Sequence, residues 1–442
     1  MRLKLHRLSL VAAAAFALGL TAAMPASAQS LRELYDAARA FDATYLSAVS
    51  SAKSVEYRLT QAEAANRPSV AAVASATGQQ LDVPKAGNGD SNSVSAALKG
   101  SMPLFNRTND LNIEAARNAL IIAKASLDLA EQDLIVRVAQ AYFDVLGAQD
   151  TLATTRANKT AIAEQLASAK RNFEVGTATI TDTREAQAKF DLATAQEIGA
   201  ENDLRTKRIA LDQLVGRTAV TPKPLAVPVV LPTIQPANAE EWVTVADDQQ
   251  PLVRRARVDL ENGKIDTRKA RALTSPTVDL SASLGSNNAS GKLATLSGTT
   301  STASVGVQLN WPLYTGGFSQ ARVQETLTLE EKLSNDLQAA RRNAAQNTRV
   351  AYFGVQSGTA QVKALEAAES STKLALEATQ LGYRVGVRVN LDVLNAQTQL
   401  YTTQRDLAKA RYDVVVGGLK LRQAAGTLSP SDVDAVNRLL AP

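Results

Sequence analysis

Apolar and polar positions alternate most cleanly in two short stretches. In residues 277–285, Val278, Leu280, Ala282 and Leu284 alternate with Thr277, Asp279, Ser281 and Ser283. In residues 304–313, Val305, Val307, Leu309, Trp311 and Leu313 alternate with Ser304, Gly306, Gln308, Asn310 and Pro312. A period of two puts one set on each face of a strand. A weaker copy lies earlier, where Val94, Ala96, Leu98, Met102 and Leu104 alternate with small or polar neighbours, and residues 69–80 are Ala-rich and ambiguous. Residues 81–92 and 286–302 are rich in Gly, Asn, Ser and Thr, which predicts exposed loops between the strands.

Elsewhere the pattern is helical. Residues 109–173 hold no proline and one glycine, Gly147, and residues 318–382 are their counterpart. At about 1.5 Å per residue each helix runs close to 100 Å, too long for one compact domain, so the helices must pack side by side as extended coiled coils. Each is followed by a return helix, about 182–215 and 392–425, and each half opens with a helix, 31–66 and 240–271.

The chain is written twice. Met102-Pro103-Leu104-Phe105 recurs as Trp311-Pro312-Leu313-Tyr314, and Ala141-Tyr142-Phe143 as Ala351-Tyr352-Phe353. Val175-Gly176 recurs as Val385-Gly386, Asp182 as Asp392, and Gly216 as Gly426. A common offset this long marks a duplicated half-molecule, not a solenoid. The organisation expected is a transport signal over 1–28, a first repeat over 29–216, a Pro-rich connector over 217–239, a second repeat over 240–426 and a tail over 427–442.

Composition narrows the function. Arg2, Lys4 and Arg7 precede an apolar run over 8–20, and Ala26-Ser27-Ala28 fits a cleavage site. Removing those three cations lowers the formal charge from +5 to +2, and no basic block with interleaved aromatics points to nucleic acid. The one histidine, His6, lies in the signal, and the chain has no cysteine. Imidazole or thiol catalysis, His or Cys metal sites and disulfides are therefore excluded after cleavage, and no cofactor, metal or enzymatic activity is expected. No later run of about 20 apolar residues forms a spanning helix, which leaves a periplasmic, secreted or barrel-forming protein.

Four strands of about ten residues suit a membrane barrel, and Phe105, Trp311 and Tyr314 at the strand ends suit its interface with water. Four strands cannot close in lipid, so several chains must pool them. Three copies give twelve strands around a lumen, continued by a helical wall: a conduit. The alternative is a soluble periplasmic coiled-coil scaffold or adaptor.

The duplicated layout and the stretch from Tyr383 to Gln397, with its partner Phe173 to Asp182, resemble TolC-like outer membrane efflux proteins. The resemblance implies an α plus membrane β-barrel fold and a homotrimer with a shared 12-stranded barrel and a periplasmic α-helical barrel. It implies a place in the outer membrane and in its lipid, and a role as exit duct for efflux or type I secretion. It also implies a periplasmic adaptor and an inner-membrane pump or secretion ABC transporter as partners. Val175, Gly176, Thr177, Val385, Gly386 and Val387 would form adaptor-contact tips, although glycine at a helix end is also an ordinary stop signal. Thr181 and Asp182 precede the return helix, and Asp182 with Glu185 reads as a capping box. By resemblance these positions also hold the periplasmic gate shut: Asp182 would accept a bond from Tyr383, and Arg388 would reach Thr181 and Asp182 of the next chain. Asp392 would ring the mouth, but Asn395 stands where the family pattern has a second acid, which halves the ring charge.

Overall fold

The computed structural model describes residues 28–83, 87–291 and 297–441. The transport signal lies outside these residues apart from Ala28. Thirteen elements follow in the order α1 (Leu31–Phe41), α2 (Ala43–Ala64), β1 (Ser69–Val83), β2 (Gly87–Phe105), α3 (Arg107–Glu174) and α4 (Ile180–Val215) for the first half. The second half adds α5 (Ala239–Gln249), α6 (Pro251–Ala272), β3 (Thr277–Ser290), β4 (Gly298–Asn310), α7 (Phe318–Arg384) and α8 (Asn390–Ala425), and α9 (Pro430–Asn437) closes the described chain. The two halves repeat the same six elements, as the internal offset predicts.

The opening helix of each half is broken, contrary to expectation. Asp42 ends α1 and starts α2 at once. Its amide donates to the Ala38 carbonyl at 2.7 Å, while its carboxylate accepts from the Tyr45 amide at 2.7 Å. Its ψ of 114° is incompatible with a continuing helix. Gln250 does the same in the second half, with ψ 122° and Pro251 behind it. The ring of Pro251 crowds the residue before it out of the α region. No such signal marks Asp42 in the sequence.

The long helices hold. α3 spans 68 residues and α7 spans 67, each about 100 Å at ~1.5 Å per residue. α4 returns along α3, α8 returns along α7, and α8 also packs on α3, so the halves are joined through a shared face. The largest core lies where α1, α2, α9 and the connector wrap α3, α4 and α8. Tyr35, Tyr142 and Phe143 are fully buried there, and the Tyr142 hydroxyl donates to the carbonyl of Lys223 in the connector at 2.8 Å. That bond ties the connector to α3, and a two-point pairing of Arg32 to Asp434 ties α9 to α1.

The four strands form one antiparallel sheet in chain order. Pairing runs past the expected strand ends: Leu81 faces Gly89 and Ala289 faces Gly298. The segments expected as loops are therefore mostly strand. Their Gly, Asn, Ser and Thr are weak strand formers, but ladder bonds to a neighbour override local preference. At the other end β4 stops at Asn310, before Trp311 and Pro312, because Pro312 has no ladder donor. β2 instead passes through Pro103 by means of a bulge between Pro103 and Phe105.

The register sorts the side chains. Leu98, Leu284 and Ala303 lie on one row, and Gly100, Ala282 and Val305 on the next, giving an apolar face. The opposite face carries the serine pairs Ser75–Ser95 and Ser283–Ser304, with hydroxyl oxygens 2.7 and 2.8 Å apart. The outer edges of β1 and β4 have no strand partner among the described residues.

Candidate functional site

Two helical turns at the end of the bundle far from the sheet bring together most of the residues singled out in the sequence. α3 ends at Glu174, and Gly176 takes φ 78°. The Gly176 amide then donates to the Phe173 carbonyl at 3.0 Å and the Thr177 amide to the Asn172 carbonyl at 2.8 Å. This is the Schellman pattern, which satisfies the last carbonyls of a helix and requires a left-handed residue. α7 ends identically, with Gly386 at φ 79°, Gly386 donating to Tyr383 at 3.1 Å and Val387 to Gly382 at 2.8 Å. Nothing lies within 4 Å of a Cβ built at either glycine. Both therefore stand in the open, and backbone conformation alone demands them.

The side chains around these turns are apolar and exposed: Val175 is 72% exposed, Val385 65% and Val387 78%. Three valines in solvent, one at the first tip and two at the second, are unfavourable unless something covers them.

The capping box lies one turn earlier than the sequence suggested. Thr179, not Asp182, is the N-cap of α4. The Asp182 amide donates to Thr179 Oγ1 at 3.2 Å, and Asp182 Oδ2 accepts from the Thr179 amide at 2.9 Å and hydroxyl at 2.8 Å. Asp182 is thus the returning acid of the box rather than its opener, because Ile180 is already helical. Thr181 is exposed beside it and Glu185 takes no part in the cap.

Tyr383 does not meet Asp182 within the chain. Its hydroxyl accepts from the Asn172 amide nitrogen at 3.2 Å, joining the last turn of α7 to the last turn of α3. Sequence reasoning missed Asn172, whose counterpart 210 residues on is Gly382. That glycine has its own role: a Cβ there would sit 2.8 Å from Cγ of Arg388. Arg388 therefore folds over the end of α7 and reaches Asp392 at 3.6 Å, both groups partly exposed. Such an exposed pair contributes ~0–1 kcal/mol and leaves the guanidinium free to exchange partners. Asp392 lies in the first turn of α8, and Asn395, three residues on, is exposed. The N-cap of α8, Val389, offers no side-chain cap.

At the opposite end Phe105, Trp311 and Tyr314 are all exposed at the base of the sheet, and the Trp311 indole donates to the Thr274 carbonyl at 3.2 Å. Among the described residues no helix is long and apolar enough to cross a membrane, and no three His, Cys, Asp or Glu side chains converge as a metal site.

The model of the outer membrane efflux protein family matches residues 26–217 and again residues 242–427, once for each half. The chain belongs to the outer membrane efflux protein family. Within it, the chain is 32% identical over 412 residues to the outer membrane protein TolC of Vibrio cholerae, covering 93% of each. It is 32% identical over 349 residues to the alkaline protease secretion protein AprF of Pseudomonas aeruginosa, covering 78% of this chain and 72% of the relative. In fold it is similar to the outer membrane protein VceC from Vibrio cholerae, with a TM-score of 0.75 at 20% identity over 90% of this chain and 96% of the other. The open-state MtrE outer membrane channel of Neisseria gonorrhoeae gives 0.74 at 21% identity over 91% and 90%. This outer membrane efflux protein is an exit duct of the outer membrane with a periplasmic extension. The soluble periplasmic scaffold is thereby set aside.

Proposed function

We propose that three copies pool their strands into a twelve-stranded barrel, and that the six tip helices they contribute per half close a gate at its periplasmic end. The observation that carries the reading is the sheet itself: four antiparallel strands, apolar on one face, with both outer edges unpaired. In hydrocarbon each unpaired backbone group costs several kcal/mol, so β1 of one copy must pair with β4 of the next. Twelve strands enclose a lumen, and α3, α4, α7 and α8 carry its wall about 100 Å into the periplasm.

At the gate, Asn172 and Tyr383 tie the two tips of one copy. Arg388 reaches from its loose pairing with Asp392 toward Thr181 and Asp182 of the neighbouring copy, where a guanidinium fork on a carboxylate makes a directional latch. Asp392 contributes one acid per copy to the mouth. Asn395 adds none, so divalent cations are held there weakly. The exposed valines around Gly176 and Gly386 dock a periplasmic adaptor, which hands cargo from an inner-membrane pump or secretion ABC transporter.

Single-channel recording of the purified protein in planar bilayers tests the latch. Arg388→Ala and Tyr383→Phe should each raise conductance severalfold, because the narrowest section controls the current. Unchanged conductance in both variants and in the double variant would refute it.

A further inference from the structure

The polar face of the sheet bears a single cation among its described residues. The register sets Lys99 of β2 opposite Ala71 of β1 and Ser283 of β3, with Ser101 two residues along the same strand. The Ser283–Ser304 hydroxyl contact and the Ser69–Ser101 contact at 2.9 Å bracket it on that face. Lys99 is exposed. The other charged residue of this face, Asp279, faces Pro103 and Gln308. It lies four residues from Ser283 along β3, about 13 Å at ~3.3 Å per residue.

We infer that Lys99 forms a cationic ring inside the barrel which draws polyvalent anions into the membrane-level section of the duct. The inference rests on the trimeric duct reading. The apolar face turns to lipid, so the polar face turns to the lumen. Twelve strands about 4.8 Å apart and tilted by ~40° close at a backbone radius of about 12 Å. A lysine stem reaching about 6 Å inward leaves the three ammonium groups within about 6 Å of the axis. That is inside the screening length of about 10 Å at 0.1 M salt, whereas Asp279 lies beyond it. At the level of Lys99, cargo on the axis therefore meets the positive ring with the carboxylate of Asp279 screened from it. The acidic mouth formed by Asp392 is at the far end of the helices, so the two ends of the duct have opposite preference.

The ring makes a specific electrical prediction. Tripolyphosphate added to the barrel side of a planar bilayer should block the wild-type current in 0.1 M KCl. Lys99→Gln should need about tenfold more blocker, the size of effect expected of a charged constriction with low-dielectric walls. Lys99→Arg keeps the charge and should block like wild type. In 1 M KCl, where screening shortens to about 3 Å, the difference between wild type and Lys99→Gln should vanish. Equal block of wild type and Lys99→Gln at 0.1 M overturns the ring while leaving the duct intact. A wild-type protein that forms no conducting pore overturns the duct, and the ring with it.

Discussion

Asp42 offers the sharpest structural test, because one carboxylate performs two jobs at the break between α1 and α2. It caps α2 through the Tyr45 amide and is held by Arg137 of α3 at 2.9 and 3.1 Å. The residue is 9% exposed, whereas the Arg137 side chain is 34% exposed and keeps Asp133 as a second partner at 2.7 Å. Losing an N-cap costs about 1 kcal/mol. Losing charge-assisted bonds to a half-exposed partner adds about 1–3 kcal/mol. Asp42→Ala should therefore ease local opening of the junction by about 2–4 kcal/mol, which accelerates amide exchange about 30- to 1000-fold. Asp42→Asn keeps the cap acceptor and should show only the ionic part, about 1–3 kcal/mol. Hydrogen exchange read by mass spectrometry on a peptide covering residues 42–50 measures this in detergent, with a peptide from α8 as control. The Arg137 guanidinium holds the Asp42 carboxyl below its ordinary value, against the opposing effect of burial. Its stabilisation is accordingly complete above about pH 4, the unfolded value, and is lost as pH falls further. Wild-type exchange at the junction should rise below that point toward the Asp42→Asn rate. If the junction peptide of Asp42→Ala exchanges at the wild-type rate, the double role is wrong.

The helix ends and the α3–α8 face give further expectations. Gly386→Ala meets open space and pays only left-handed strain, about 1–2 kcal/mol, so it should fray the end of α7 in hydrogen exchange without disturbing assembly. Gly426→Ala has the same strain at φ 76° and also overlaps the Gln250 backbone, so it should fail to assemble by size-exclusion chromatography. Between α3 and α8 the Tyr412 hydroxyl donates to Asp150 at 2.6 Å, and burial pushes the Asp150 carboxyl up. An acid raised in the fold stabilises most below its unfolded value near pH 4 and loses that contribution as pH rises through its folded value. Asp150→Asn should thus melt above wild type at about pH 7, with the gap narrowing toward about pH 4. A gap that does not change with pH would argue against a buried charge there.

Much of the architecture is written in the chain because it follows from local periodicity. Uninterrupted helical runs without proline dictate α3 and α7, and period-two alternation dictates which residues of β3 and β4 share a face. The 210-residue offset foretold that both tips would end on left-handed glycines, since only glycine adopts that backbone freely. What depends on distant partners was not legible. The break at Asp42 needs Arg137, 95 residues away, and the strand pairing of residues 81–83 and 87–92 needs a neighbour to supply ladder bonds that Gly and Asn would not seek alone. Thr179 rather than Asp182 caps α4 because helix entry is set by where the Schellman turn releases the chain. Tyr383 finds Asn172 because the two half-molecules lie side by side, a proximity that exists only once the helices pack. Sequence alone determined the elements and their faces, each a property of a few consecutive residues. Tertiary structure decided kinks, register ends and the partners at the gate, which are contacts between residues far apart along the chain.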